Sequence, residues 1–416
     1  MSFLNIRPID PYYLNCLYYN QTMTTPQTLK GFRDFLPAEA LKRQWLKDQI
    51  VKVFEKWGYD PLETPTLEPL ALFAGQIGED EKLFFKFKDN GGRDVALRYD
   101  QTVPTCRVVG QYASQLPMPF RRYQIQPAFR AENTQKGRYR EFVQCDADIF
   151  GTTSPLADAE VIALALDIYK SLGFKNVKVL VNDRSLLSDL PYDAIVAIDK
   201  LAKIGEDGVI ANMVSKNISD SDARKYLAKT KEIRPNETIK TIFEYLELCG
   251  FNESWYGFEP TLARSFSYST GPIWEVVISD VEGGSVLGGE RFDNLVEKIS
   301  GKKIPGTGFG LGFDRTLEAA QQLGLVPDFK TKTQVLVTIF SPELYSPALS
   351  LSNSLRKSGI NTELYPDASA KLDKQLKYAS QKGIPYVAII GPEEAARNCV
   401  TYKDMKTGTQ SNELPL

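Results

Sequence analysis

The chain has 416 residues, 43% of them hydrophobic and 25% charged, a composition that predicts a globular protein of two or three domains. Its 50 Lys and Arg residues nearly balance 52 Asp and Glu residues, which excludes a basic surface over the whole protein for binding nucleic acid. No apolar run reaches the ~18 residues of a membrane span. The chain contains no histidine, so histidine general bases, histidine-activated nucleophiles and histidine metal ligands are excluded.

Five cysteines are scattered along the chain without a C-x-x-C pair. This spacing argues against a disulfide framework and against a zinc site, and it indicates a reducing, cytoplasmic environment. Residues 1–24 are rich in aromatic residues but lack the charge pattern of a secretory or mitochondrial signal. We therefore expect a disordered N-terminal extension, no metal site, and a start at either Met1 or Met23.

The first part of the main domain is predicted to span residues 25–185. Apolar residues at helical spacing between Pro37 and Lys56 predict an amphipathic helix that ends before Gly58. Two longer strands then flank a polar loop, and a helix and a further strand follow them; their sequences are FRRYQIQPAFRAE, GRYREFVQCDADIFG, LADAEVIALALDIYKSLGF and NVKVLVND. Consecutive strands of this kind predict an antiparallel sheet with flanking helices, an α+β fold.

The rest of the chain changes character twice. Residues 186–245 carry several short helical patterns and few strands, which predicts a helical insertion, and residues 246–326 return to strands of the main domain. A polar linker over residues 327–332 precedes residues 333–416, where strands and helices alternate. That alternation predicts a separate, small α/β domain with a mostly parallel sheet.

The hairpin over residues 129–151 carries the densest charge pattern. Side chains alternate between the faces of a strand, so Arg138, Phe142, Gln144 and Asp148 are predicted to share one face. Guanidinium groups suit phosphate oxygens, an aromatic ring suits a nucleobase, and acids suit a ligand that donates hydrogen bonds. An exposed, salt-bridged hairpin is the alternative.

Three further segments are candidates for binding. Asp100 and Thr102 share a face at the end of a strand, although Asp100 is most simply a helix N-cap. Arg264 stands in an otherwise uncharged segment, which indicates a paired arginine. The glycines of GTGFGLGFDR permit close packing of the backbone and precede a helix that begins near Arg315, but no βαβ unit supports a dinucleotide fingerprint.

The order of these segments resembles that of class II aminoacyl-tRNA synthetases, and within them the histidyl-tRNA synthetase family. The resemblance covers about residues 28–410. GYDPLETP resembles class II motif one, the hairpin resembles motif two and GFGLGFDR resembles motif three. KGFRDFLP resembles the family's N-terminal motif, and LARSFSYSTGPIWE and LGGERFDNL resemble its two histidine-specific blocks. KQLKYASQKGIPYVAIIGPEE resembles its anticodon-binding domain.

This resemblance implies a cytoplasmic homodimer that activates histidine with ATP, accompanied by Mg²⁺, and then charges tRNA(His). It implies catalytic roles for Arg130 and Arg264. The residues implied for ATP binding are Arg130, Glu132, Arg138, Phe142 and Arg315. Those implied for histidine binding are Asp100, Gln101, Thr102, Arg130, Gln144, Asp148, Arg264, Tyr268 and Ser269. The weaker candidates for tRNA contacts are lysines spaced along one helical stretch of the C-terminal domain, Lys371, Lys374 and Lys377.

The sequence departs from the family at the amino-acid pocket. The family's Asp-Tyr-Tyr run reads Ser267-Tyr268-Ser269, and the tyrosine of its second block is Phe292. Removing phenol groups that hydrogen-bond a substrate weakens discrimination, so a synthetase of altered amino-acid specificity is one alternative. The other is a non-catalytic, synthetase-like regulatory subunit of ATP phosphoribosyltransferase, a class that generally lacks the phosphate-binding arginines and the anticodon module.

Overall fold

A computed structural model describes residues 27–74, 83–133, 138–264, 268–282 and 284–414. The N-terminal extension predicted over residues 1–24, most of the polar loop of the hairpin, and Ser267 lie outside these residues. None of the helices within these ranges combines the length and the hydropathy that crossing a membrane requires.

An eight-stranded sheet forms the centre of the main domain, in the order β1-β5-β6-β11-β10-β9-β7-β8. Its interior pairs are antiparallel, and only the outermost pairs at each edge, β1 with β5 and β7 with β8, are parallel. The α+β prediction is therefore confirmed. The strands are β1 Asp60–Pro61, β5 Phe120–Phe129, β6 Glu141–Phe150, β7 Val177–Asp183, β8 Tyr256–Phe258, β9 Pro272–Ile278, β10 Leu287–Arg291 and β11 Gly306–Gly312.

Helices α1 Pro37–Lys56, α4 Pro155–Ser171 and α10 Phe313–Gln322 pack over this sheet. Helix α4 is buried along most of its length, and its first turn is capped by the Ser154 hydroxyl, which accepts a hydrogen bond from the Leu156 amide. Leu46, Ile50 and Phe54 of α1 are fully buried in the same core. This layer of helices covers one side of the sheet, opposite a cavity.

A smaller layer adjoins the end of β5, where the Phe129 amide donates to the Arg98 carbonyl. Strands β2 Leu67–Pro69, β3 Lys86–Lys88 and β4 Asp94–Leu97 form a three-stranded sheet, with helices α2 Leu70–Phe73 and α3 Thr102–Gln111 beside it. Helix α9, Leu295–Ser300, packs on α3. The connection from β4 to α3 carries Asp100 to the edge of the cavity.

The predicted insertion is helical, as expected. It contains α5 Tyr192–Ile198, α6 Leu201–Ser215 and α7 Asp220–Lys231, which share an apolar core of their own. The next helix, α8 Glu237–Leu248, instead places Ile239, Ile242 and Leu246 in the core of the main domain. A short 3₁₀ helix, Arg184–Leu187, joins β7 to the insertion.

The C-terminal region has a five-stranded sheet in the order β13-β12-β14-β15-β16. Its first three strands are parallel and the last two are antiparallel, so the predicted α/β architecture is confirmed. The elements are β12 Val335–Val337, α11 Tyr345–Lys357, β13 Thr362–Leu364, α12 Leu372–Lys382, β14 Tyr386–Ile389, α13 Pro392–Arg397, β15 Thr401–Asp404 and β16 Gln410–Ser411.

Candidate active site

A cavity of about 340 Å³ lies on the open face of the central sheet. This volume is at the lower end of what small-molecule sites usually occupy. Most of the residues predicted for binding line it: Asp100, Thr102, Arg130, Glu132, Arg138, Phe142, Gln144, Asp148, Arg264, Tyr268 and Arg315. Four separate stretches of the chain thus converge on one site, which argues against an exposed, salt-bridged hairpin.

Glycines in β10 and β11 make room for charge in the floor of this cavity. Gly308 pairs with Asp148 across the sheet, and a Cβ added at Gly308 would overlap the Asp148 carboxylate. Likewise, a Cβ at Gly288 would overlap the Arg264 guanidinium. The predicted Gly-rich segment is therefore a strand whose missing side chains allow charged groups to lie flat on the sheet.

Asp148 forms a buried ion pair with Arg122, a residue that the sequence analysis did not select. The two residues face each other in the register of β5 and β6, and both are almost completely inaccessible to solvent. Burial raises the pKa of Asp148 to about 6, although the adjacent Arg122 guanidinium favours the ionised carboxylate. The strand alternation of FRRYQIQ could have indicated Arg122, because it places that residue on the same face as Gln124 and Gln126.

Asp100 lines the cavity, and its Oδ1 accepts a hydrogen bond from the Val103 amide at 3.2 Å in the first turn of α3. The N-cap of α3 is Gln101, one residue later than predicted. Burial raises the pKa of Asp100 to about 6. Gln101 is buried behind it, and its Nε2 donates to the carbonyl oxygens of Gln126 at 2.8 Å and Gln144 at 3.1 Å. Gln101 therefore ties the start of α3 to β5 and β6.

Gln144 adds an acceptor to the cavity, and the buried Asp146 follows it on the same strand. Gln144 Oε1 and Asp146 Oδ1 are buried, and no described residue donates a hydrogen bond to either atom. Burial raises the pKa of Asp146 well above its ordinary value. A buried acceptor such as Gln144 Oε1 suits a ligand that donates hydrogen bonds.

Arg264 approaches the cavity from a loop after the insertion. Its guanidinium lies 3.3 Å from Glu290 and 3.5 Å from Glu275, two carboxylates to which the sequence analysis gave no role. The Ser269 hydroxyl donates a hydrogen bond to the same Glu290, so Ser269 supports the floor beside the cavity. Tyr268 lines the cavity and packs edge-to-face on Phe292, with ring centroids 6.5 Å apart.

The other half of the cavity is rich in arginine. Arg130 lies over the rings of Tyr99 and Phe142, at 4.2 and 5.1 Å from their centroids, which orients its guanidinium. Arg315 Nη1 donates to the Ser285 carbonyl at 2.7 Å. Burial, with a smaller contribution from the neighbouring positive charge of Arg138, lowers the pKa of Arg315. Like charges held together in this way fit a polyanionic ligand.

A buried carboxylate next to Arg315 joins three distant segments. Asp314 Oδ1 accepts hydrogen bonds from Arg33 at 2.7 Å and Arg43 at 2.6 Å, and its Oδ2 accepts one from the Val143 amide at 3.1 Å. Arg33 also lies over the Tyr139 ring, 3.2 Å from its centroid. The KGFRDFLP segment thereby contacts both Asp314, beside Arg315, and Tyr139, beside Arg138.

The lysines predicted for tRNA contact lie in the C-terminal region, far in sequence from the residues that line the cavity. Lys371, Lys374 and Lys377 are exposed at the start of α12 in the C-terminal region. Lys382 at the end of the same helix is engaged with Glu363 and Tyr378. Their role stays a prediction.

Comparison with known proteins agrees with this geometry. The sequence profile of the family described as histidyl-tRNA synthetase matches residues 31–220, and that of the anticodon binding domain matches residues 334–416. The histidine–tRNA ligase of Wolinella succinogenes is 37% identical, and the match covers 94% of this chain and 96% of that one. The chain belongs to the histidyl-tRNA synthetase family.

Other members of the histidyl-tRNA synthetase family agree in sequence and fold. The histidine–tRNA ligase of Cytophaga hutchinsonii is 36% identical, with 93% of this chain and 97% of that one covered. The crystal structure of histidyl-tRNA synthetase from Nostoc sp. PCC 7120 is similar at a TM-score of 0.79 and 27% identity, covering 92% of this chain and 96% of that one.

A structure described as an ATP phosphoribosyltransferase regulatory subunit/histidyl-tRNA synthetase from Bacillus halodurans C bears on the regulatory alternative. Its TM-score is 0.70 at 24% identity, with 86% of this chain and 97% of that one covered, which shows a shared fold alone. The match to histidine–tRNA ligases runs through the anticodon-binding region as well. The regulatory alternative is therefore not favoured.

The raised pKa of Asp100 predicts how stability depends on pH. Burial makes the Asp100 carboxyl harder to ionise in the folded protein than in the unfolded chain. Asp100 therefore contributes to the free energy of unfolding below the unfolded pKa of about 4, and this contribution is lost as the pH rises through about 6. We expect Asp100→Asn, which cannot ionise, to gain stability relative to the unsubstituted protein between pH 4 and pH 6 and to keep that gain at higher pH. Urea unfolding midpoints at pH 4, 5, 6 and 7.5 measure this difference; a difference independent of pH would contradict it.

Proposed function

We propose that the chain is a histidine–tRNA ligase, which forms histidyl-adenylate from histidine and ATP and transfers the histidyl group to the 3′ end of tRNA(His). The observation that carries the proposal is one cavity that holds acids at one end and arginines at the other. Asp100 and Asp148 lie at the first end, and Arg130, Arg138 and Arg315 at the second. This polarity suits a nucleotide beside an amino acid whose ammonium group and ring N–H donate hydrogen bonds.

The acidic end would hold histidine. Asp148 would accept a hydrogen bond from the imidazole N–H, and its pairing with Arg122 supports this role because an ionised carboxylate only accepts. Asp100, Thr102 and Gln144 would hold the ammonium and carboxylate end. Tyr268 would pack beside the ring, and Ser269 would act through its bond to Glu290.

The arginine-rich end would hold ATP. Phe142 would stack on the adenine with Glu132 beside it, Arg130 would contact the α-phosphate, and Arg138 and Arg315 would contact the outer phosphates. Mg²⁺ would accompany ATP as part of the substrate. Among the described residues, no group of three or more Asp, Glu and Cys side chains is placed to hold a metal ion.

Arg264 would carry most of the electrostatic catalysis. When the histidine carboxylate attacks the α-phosphorus and pyrophosphate leaves, negative charge grows on the phosphoryl oxygens between Arg264 and Arg130. A guanidinium already oriented by Glu275 and Glu290 needs little reorganisation to stabilise that charge. In the transfer step, a phosphate oxygen of the adenylate would take the ribose proton, so a protein histidine is not required.

The family's other properties complete the proposal. The anticodon-binding region would contact tRNA(His), the enzyme would act as a homodimer, and it would work in the cytoplasm. Support for tRNA binding comes from the profile match over residues 334–416 and from the exposed lysines of α12.

Pyrophosphate exchange into ATP tests the proposal and the specificity of the pocket together. We expect exchange with histidine and with no other of the 20 common amino acids. Arg264→Ala should lower this exchange by ~10²-fold or more, because it removes a preorganised charge at the α-phosphate. Arg224→Ala, which removes an exposed arginine of the insertion, is the matched control and should leave it unchanged.

Two outcomes would contradict the proposal. Lack of exchange with any amino acid would favour the alternative of a non-catalytic regulatory subunit. Exchange with another amino acid would mean that Ser269 and Phe292 have redirected the pocket.

The role of the C-terminal lysines is separable from catalysis. We expect the triple substitution of Lys371, Lys374 and Lys377 by Glu to raise the KM for tRNA at least tenfold at ~0.1 M salt, because three phosphate contacts become repulsive. The adenylation site is in another region, so pyrophosphate exchange should not change. An unchanged KM for tRNA in charging assays would remove these lysines from the interface.

A further inference from the structure

The loop that delivers Arg264 is bound along its length by the end of strand β7. Asn182, the second-last residue of β7, is completely buried, and its Nδ2 donates to the carbonyl oxygens of Pro260 at 3.0 Å and Leu262 at 2.8 Å. The Glu259 amide donates to the Val181 carbonyl at 2.9 Å. The path of residues 259–262 is thus set by β7.

Arg184 binds the same loop at Arg264, the proposed catalytic arginine. Its Nη1 donates to the carbonyl oxygens of Ala263 and Arg264, both at 3.1 Å. Its backbone amide donates to the Gly271 carbonyl at 2.8 Å. One residue therefore holds the main chain at both Arg264 and Gly271, within the first histidine-specific block.

The backbone of Arg264 explains why such support matters. Its φ is +42°, in the left-handed region that residues with a side chain rarely adopt. A strained conformation of this kind persists only when its surroundings determine it, and such residues cluster at functional sites. The two hydrogen bonds from Arg184 fall on the carbonyls at and just before the strained residue.

The guanidinium of Arg264 is held separately from its main chain. Glu290 and Glu275 contact its tip, and Gly288 leaves the space in which it lies. Both carboxylates bind the side chain of Arg264, whereas Arg184 binds its main chain.

The same junction contacts the helical insertion. Ala263 is completely buried in the insertion's apolar core, together with Leu187 of the 3₁₀ helix that begins at Arg184. Asp183 Oδ2 accepts a hydrogen bond from Asn236, the N-cap of α8. Arg184 lies where the main sheet, the insertion and the Arg264 loop meet.

We propose that Arg184 is a positioning residue for adenylate formation: by binding the main-chain carbonyls of Ala263 and Arg264 it fixes the Arg264 guanidinium at the α-phosphate and couples the helical insertion to that step. The inference rests on the proposed function. Arg184 acts through Arg264, so its effect depends on the presence of the Arg264 side chain.

A double-mutant cycle tests this dependence. Single-turnover formation of radiolabelled histidyl-adenylate, with enzyme in excess, is measured for the unsubstituted protein, Arg184→Met, Arg264→Ala and the double variant. We expect Arg184→Met to slow the step about tenfold with the Kd for histidine within about twofold, because a displaced catalytic group loses rate rather than binding. In the Arg264→Ala background, Arg184→Met should cause no further loss.

Control variants separate positioning from folding. Arg224→Met removes an arginine of the same insertion that forms only an exposed pair with Asp220, and its rate should equal that of the unsubstituted protein. Arg184→Lys keeps a cationic donor near the carbonyls and should give an intermediate rate, which also serves if Arg184→Met does not fold. Unfolding midpoints establish which variants are folded.

The outcomes distinguish the inference from the function on which it rests. A tenfold loss that recurs in the Arg264→Ala background, or a rate for a folded Arg184→Met that equals the unsubstituted rate, would overturn the role of Arg184 alone. Absence of histidyl-adenylate with the unsubstituted protein would overturn both proposals.

Discussion

The buried ion pair between Arg122 and Asp148 links the register of β5 and β6 to the floor of the site. Two charges that are almost inaccessible to solvent are tolerable only when they remain paired, because a single buried charge is strongly destabilising. Their pairing requires the register of β5 against β6, and the space for the carboxylate requires glycine at position 308. The fold and the binding site therefore depend on the same residues.

Charge is distributed along this floor so that each end of the cavity has a different chemistry. The acids near Asp148 and Asp100 lie in a desolvated region, which raises the pKa of both carboxyls to about 6. The arginines at the other end are oriented by aromatic rings and carbonyl oxygens. This arrangement explains how a chain without a single histidine could activate an amino acid: arginines would stabilise the charge, and the substrate would supply the proton acceptor.

Local patterns in the sequence predicted most of the elements. Apolar spacing gave helix α1 from Pro37 to Lys56, and strand alternation gave the hairpin and the shared face of Phe142, Gln144 and Asp148. The strand over residues 306–312 was not predicted, because its glycines lower strand propensity and the pairing that compensates is non-local.

Most of the residues predicted for binding line the cavity, because they lie in motifs whose order is specific to the family. Arg122 and Arg184 were not predicted, since each is defined by its partner. Asp148 reaches Arg122 through the sheet register, and the carbonyls that Arg184 binds are about 80 residues away in the chain. Contacts of this kind become visible only when the fold is known.

Equilibrium binding of histidine and phenylalanine to the unsubstituted protein and to Asp148→Asn is the sharpest test of the pocket. We expect histidine to bind and phenylalanine not to bind. We also expect Asp148→Asn to weaken histidine binding at least tenfold, because the ring N–H loses a charged acceptor and Arg122 loses its partner. Measurement above pH 7 keeps Asp148 ionised in the unsubstituted protein. Equal affinity of the folded Asp148→Asn variant for histidine would contradict the account.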